Sequence, residues 1–198
     1  MKYIIGIDEV GRGSLAGPVF VCAVLIPKNF KIKNKKLGKL FDSKKLNLKK
    51  RFLWYQYLTN LKIKFAISKI SPQKIDKINI FNASNLGAFL ALNKIFKKNK
   101  INLKNTKIFL DGGLFIKSKD YQKLHFLNAK TIIRGDEKYT AIKIASIMAK
   151  IQRDKYMQQL SKKYPAYLFE KHKGYGTKLH LSLIKKYGPS LVHRLTFI

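Results

Sequence analysis

Acidic residues are scarce in this chain. Its 198 residues hold 10 Asp and Glu against 42 Lys and Arg, a formal net charge of +32. A solvated surface gains nothing from that imbalance, and self-repulsion opposes folding. A polyanionic partner, most simply nucleic acid, accounts for it. A lysine-rich compositional bias is the competing account, since many lysines stand beside Asn and Ile. Cysteine is nearly absent too. One Cys excludes an internal disulfide framework and suits a reducing, cytoplasmic setting. Cys22 lies in the apolar run from Val19 to Ile26 and reads as a small buried hydrophobe. No apolar run is long enough to span a membrane. The N-terminal run stops at Asp8, too soon for a signal peptide. The four histidines, His125, His172, His180 and His193, show no metal-binding spacing, which disfavours zinc. No linker composition or internal repeat divides the chain, so one domain over 1–198 is expected.

Against this background the apolar runs stand out. Residues 3–8, 19–26, 62–70, 106–110 and 131–133 read as five strands. Helices are expected over 48–58, with Ser43 or Asn47 as cap, over a short stretch from Ser71-Pro72, over 82–96 and over 139–156. A last short helix closes near Tyr187. The pattern implies an α/β fold.

The few acids gather where strands end. Asp8 and Glu9 follow the first strand, Asp111 the fourth, and Asp136 the fifth. In an open α/β sheet, functional groups converge at strand C-termini. If these three strands are neighbours, four carboxylates meet at one crevice. Oxygen ligands without histidine call for Mg²⁺ or Mn²⁺. Hard cations in a basic protein point to phosphodiester chemistry, with two metals activating water and stabilising the leaving oxygen. Singly, Asp111-Gly112-Gly113 also reads as an ordinary turn, and Asp136 as a helix cap. Adjacent acids after a buried strand are harder to explain that way, because burying unpaired carboxylates is costly. Gly11-Arg12-Gly13-Ser14-Leu15-Ala16 imitates a dinucleotide fingerprint. Two acids before it would repel a pyrophosphate, and a strand follows where that motif needs a helix.

The stretch from Gly6 through Gly11-Arg12-Gly13-Ser14 to Val19 resembles the N-terminal signature of ribonuclease HII. Further blocks follow in order: 42–46, Ile75-Asp76 to Ile80, Asp111-Gly112, Gly135-Asp136, 145–154, 171–177 and His193-Arg194. The resemblance implies a ribonuclease H-like fold, a mixed five-stranded sheet flanked by helices. It also implies a small helical C-terminal part, about 160–198, that binds substrate. The implied activity is metal-dependent endonucleolytic hydrolysis of RNA in RNA–DNA hybrids, including nicking 5′ of single ribonucleotides in duplex DNA. Asp8, Glu9, Asp111 and Asp136 would be the catalytic carboxylates and hold two Mn²⁺ or Mg²⁺ ions. Gly11, Arg12 and Gly13 would read the ribose 2′-OH mainly through backbone groups, and Tyr175 would stack on the neighbouring sugar. Lys44, Lys45 and Lys150 are candidates for phosphate contact, although any of them also reads as a solvated lysine. Arg153 and Asp154 read as structural support. The implied enzyme is a monomer. Two other readings stand beside it: a non-catalytic basic binder of the same fold, or a nuclease for another hybrid or branched substrate.

Overall fold

The computed structural model describes residues 2–41, 43, 46–99, 105–116 and 129–198. Five strands form one sheet: β1 Tyr3–Val10, β2 Val19–Pro27, β3 Lys64–Ile70, β4 Thr106–Asp111 and β5 Ala129–Ile132. Their order is β3-β2-β1-β4-β5. The sheet is mixed. β1 pairs antiparallel with β2, and β2 with β3, whereas β1–β4 and β4–β5 are parallel. The three strands that carry the acids are therefore neighbours, and β1 lies at the centre.

Strand alternation divides the core into two layers. On one face, Ile5, Ile7, Val21, Ala23 and Leu110 pack with Ala88, Ala91, Leu92 and Ile95 of α2 (Pro72–Asn99). On the other, Cys22, Val24 and Ile26 meet Trp54 and Leu58 of α1 (Leu48–Asn60) and Ile144, Ala145 and Met148 of a long helix in the C-terminal third. Helix α4 covers Thr140–Lys163, preceded by the single turn α3, Gly135–Lys138. Gly6 lets α4 lie directly on β1, for a Cβ there would come within 2.3 Å of the Ala141 backbone. Short helices α5 (Phe169–His172) and α6 (Lys178–Tyr187) complete the chain.

Several boundaries differ from the sequence reading. Asp8 and Glu9 lie inside β1, because the ladder to Cys22 and Val21 runs through them. Asn47, not Ser43, caps α1 by accepting from the Lys50 N–H. The two helices expected after Ser71 are present and meet at a kink at Asn79 (φ 61°, ψ 166°), whose side chain accepts from the Asn82 N–H. The long helix runs beyond Tyr156 to Lys163, because Met157 and Leu160 are buried in the C-terminal apolar cluster. Asp136 is within α3 and is no cap; α4 starts after Tyr139 with no side-chain cap. Much of 112–130, including 117–128, lies outside the described residues, as do Lys44 and Lys45. Among the described residues no helix is long and apolar enough to cross a membrane.

Candidate active site

A cleft of about 380 Å³ opens at the C-terminal ends of β1 and β4. Asp8, Glu9, Gly11, Arg12, Asp111, Lys150 and Tyr175 line it, with Ser43 and Ser146. Successive strand residues face opposite sides of a sheet. Asp8 thus turns toward α4, where Ser146 hydrogen-bonds it, and Glu9 turns the other way. Ser146 Oγ is in turn 2.7 Å from Ser43 Oγ. Arg51 holds the Ser43 segment by donating to the carbonyls of Ser43 and Leu46. The Asp111 carboxylate accepts from the N–H groups of Gly135 and Asp136, at 2.7 and 3.2 Å. Those two bonds tie the end of β4 to α3. Asp136 is 3% exposed and adjoins Asp111 without lining the cleft itself.

These acids are held against their own electrostatics. Burial pushes the Asp8 carboxyl well above the usual range, and the charges of Glu9 and Asp111 push the same way. Burial raises Glu9 to about 7 despite the partly offsetting Arg12. Asp111 is raised by burial and by Asp136. Arg12 Nη1 lies 3.3 Å from Glu9 Oε1 and 3.4 Å from the Gly113 carbonyl. Glu9 Oε2 is buried and has no hydrogen-bond partner among the described residues. Buried polar atoms are normally paired. An oxygen-only donor set with one orphaned, buried carboxylate oxygen fits a hard divalent cation. Among the described residues no three His, Cys, Asp or Glu side chains are gathered closely enough to ligate one ion as they stand.

The Gly-Arg-Gly loop is fixed from beneath by two buried arginines. Arg194 donates to the carbonyls of Gly11, Arg12 and Gly17. Arg153 donates to Ser14 Oγ and to the carbonyls of Ala16 and Pro18. Gly11, at φ +88°, leaves no room for more: a Cβ would sit 2.3 Å from Arg153 Nε. With the Gly11 and Arg12 carbonyls occupied, the groups left to a ligand are N–H donors. No backbone carbonyl among the described residues accepts from the N–H of Arg12 or Gly13. Tyr175 closes the cleft opposite, its ring 5.8 Å from Lys150 Nζ and 5.3 Å from Arg153 Cζ. An isolated bridge joins Ser14 to Tyr175, so the loop and the tyrosine are one structural unit.

The structure thus brings together Asp8, Glu9, Gly11, Arg12, Asp111, Lys150 and Tyr175 around one cleft, with Asp136 beside it. Gly13 is exposed on the rim. Arg153 is the structural support its sequence context suggests. Ser146, Ser43 and Arg194 are additions that sequence reasoning did not single out for these roles. For Arg194 a signal exists: a charged residue between the apolar pairs Leu191-Val192 and Phe197-Ile198 needs partners if that segment is buried.

A mixed five-stranded sheet with acids on its central parallel strands and helices on both faces is an α/β fold of the ribonuclease H-like class. A family model described as Ribonuclease HII matches residues 5–198. A ribonuclease HII from Caldicellulosiruptor bescii is 40% identical over 197 residues, covering 100% of this chain and 87% of its own. In the Archaeoglobus fulgidus PCNA:RNase HII complex, a chain superposes with a TM-score of 0.76 at 22% identity, covering 100% of this chain and 96% of that one. Bst-RNase HIII in complex with Mn²⁺ gives a TM-score of 0.73 at 18% identity, over 99% of this chain and 67% of its own. The chain belongs to the ribonuclease HII family, metal-dependent ribonucleases H that act on RNA–DNA hybrids.

Proposed function

We propose that this enzyme hydrolyses the RNA strand of RNA–DNA hybrids and nicks duplex DNA on the 5′ side of single embedded ribonucleotides. The observation that carries this reading is the joining of two elements in one cleft. Carboxylates of adjacent parallel strands share it with a rigid, donor-bearing Gly-Arg-Gly loop. In the proposal Asp8, Glu9, Asp111 and Asp136 hold the divalent cations. When bound, two Mg²⁺ or Mn²⁺ ions supply water activation and charge neutralisation at the leaving oxygen. The chain's own residues do the rest. Ser146 orients the Asp8 carboxylate. The free N–H groups of the Gly11-Arg12-Gly13 loop reach toward the ribose 2′-OH, the group that separates RNA from DNA. The Tyr175 ring stacks on the adjoining sugar, and Lys150 offers its charge to a nearby phosphate. Attack by water breaks the bond from phosphorus to the 3′ oxygen, leaving a 3′-hydroxyl and a 5′-phosphate. The enzyme works as a monomer, as a single domain whose C-terminal helical part, about 160–198, binds substrate.

A duplex carrying one internal ribonucleotide tests this. With Mg²⁺ or Mn²⁺ the expected product is one nick 5′ of the ribonucleotide, absent from the all-DNA duplex and in the presence of chelator. No nick in either metal would sink the proposal, and retention of binding without cleavage would favour a non-catalytic binder.

A further inference from the structure

His172, His180 and His193 are far apart in kind and spacing from any metal motif, yet the fold stacks them beneath the cleft. The His172 and His180 rings lie 4.1 Å apart and nearly parallel. All three side chains are buried, with Phe169 and Tyr167 against them. Their hydrogen bonds determine where every proton sits. His193 Nδ1 accepts from the Ser190 N–H at 2.9 Å, so its proton is on Nε2. His193 Nε2 is 3.1 Å from His180 Nε2. At the other end, His180 Nδ1 is 3.0 Å from the Tyr175 carbonyl, which can only accept. His180 must therefore carry its proton on Nδ1 and accept at Nε2. Both ends impose the same direction. His172 is fixed separately, accepting from the Gly174 N–H at Nδ1 and donating from Nε2 to the Tyr167 carbonyl.

We propose that this ordered chain, Ser190 N–H to His193 to His180 to the Tyr175 carbonyl, is a positioning device that sets Tyr175 against the substrate sugar. Because Tyr175 also bridges to Ser14, the same device steadies the end of the loop that reads the ribose. It needs the His193 and His180 rings neutral, and burial lowers both pKa values, that of His180 to about 4. The proposal rests on the reading of Tyr175 as the sugar-contacting ring.

Two-bond ¹H–¹⁵N correlation spectra of the full chain at neutral pH read the tautomers directly. His180 is expected as the Nδ1–H form, and His172 and His193 as Nε2–H. Finding His180 as Nε2–H overturns the proposal. In cleavage of the single-ribonucleotide duplex, His180→Leu is expected to raise KM by roughly tenfold with kcat little changed, the size of one lost hydrogen bond. His180→Asn, which keeps a donor at the δ position, is expected to restore KM to within about twofold of the parent. An unchanged KM in His180→Leu, or no rescue by a folded His180→Asn, overturns it. If His180→Leu fails to fold, His193→Gln against His193→Leu makes the same comparison at the ε position. A Tyr175→Leu variant with normal KM would overturn the sugar-contact reading itself, and the tautomer spectrum would still decide the proton order.

Discussion

Asp8 and Glu9 are placed where the bare fold least favours them. Each is buried and beside another carboxylate, and only Arg12 partly compensates Glu9. Asp8→Asn keeps the shape and removes the repulsion, so in chelator it should melt no lower than the parent. A drop of more than about 4 °C would contradict this, since that corresponds to roughly 1 kcal/mol or more. The raised Glu9 favours its protonated form in the fold. Its contribution to stability is full below about pH 4.5 and is lost as pH rises through about 7. A bound cation reverses that preference by requiring the ionised form. The rise in melting temperature on adding Mn²⁺ should therefore grow between about pH 6 and 8; a pH-independent rise would contradict the assignment. The acids were legible in the sequence because a charge-poor strand ending in two carboxylates is hard to explain otherwise. Ser146 was not legible: a serine in a helix carries no sign that it will face Asp8 across the core.

At the level of elements, the strand ends and α4 supply the acid side of the cleft, and its loop side is clamped by long-range arginine bonds. Arg194 is fully buried, and its burial beside Arg153 lowers its pKa to about 9. Arg194→Met would leave the Gly11, Arg12 and Gly17 carbonyls without this partner. We expect about 3 kcal/mol of lost stability, read from the urea midpoint, with a larger loss of ribonucleotide cleavage. A midpoint within experimental error of the parent would contradict the clamp. Gly11→Ala should act locally, forcing Arg153 aside and raising KM for a ribonucleotide substrate more than it lowers the melting temperature. These clamps explain why helix positions were easier to read than the site around them. Apolar spacing marks α4, but only its contacts with the C-terminal cluster fix its end at Lys163. The break after the short helix was legible, since two helices were expected there, but its position at Asn79 rests on that residue's positive φ, which no local pattern marks. The histidine chain depends on contacts across 172–193, which no local period encodes.

For the whole molecule, the charge of +32 and the sheet order together decide what the enzyme meets and where. A mixed α/β sheet was legible from alternating apolar runs. The adjacency of β1, β4 and β5 was only conditional, since parallel neighbours are set by crossover helices rather than by strand sequence. If the lysines face the duplex, affinity should fall roughly 100-fold from 50 to 200 mM salt, about what four neutralised phosphates release. A flat salt response would make the charge compositional. The proposed cation site, however, is the carboxylate set of Asp8, Glu9, Asp111 and Asp136. Anomalous diffraction from crystals equilibrated with Mn²⁺ locates the metal itself. A strong anomalous peak within coordination distance of carboxylates of this set, lost in Asp8→Asn, is the expected result. Manganese bound away from these carboxylates, or the same peak persisting in Asp8→Asn, would contradict it.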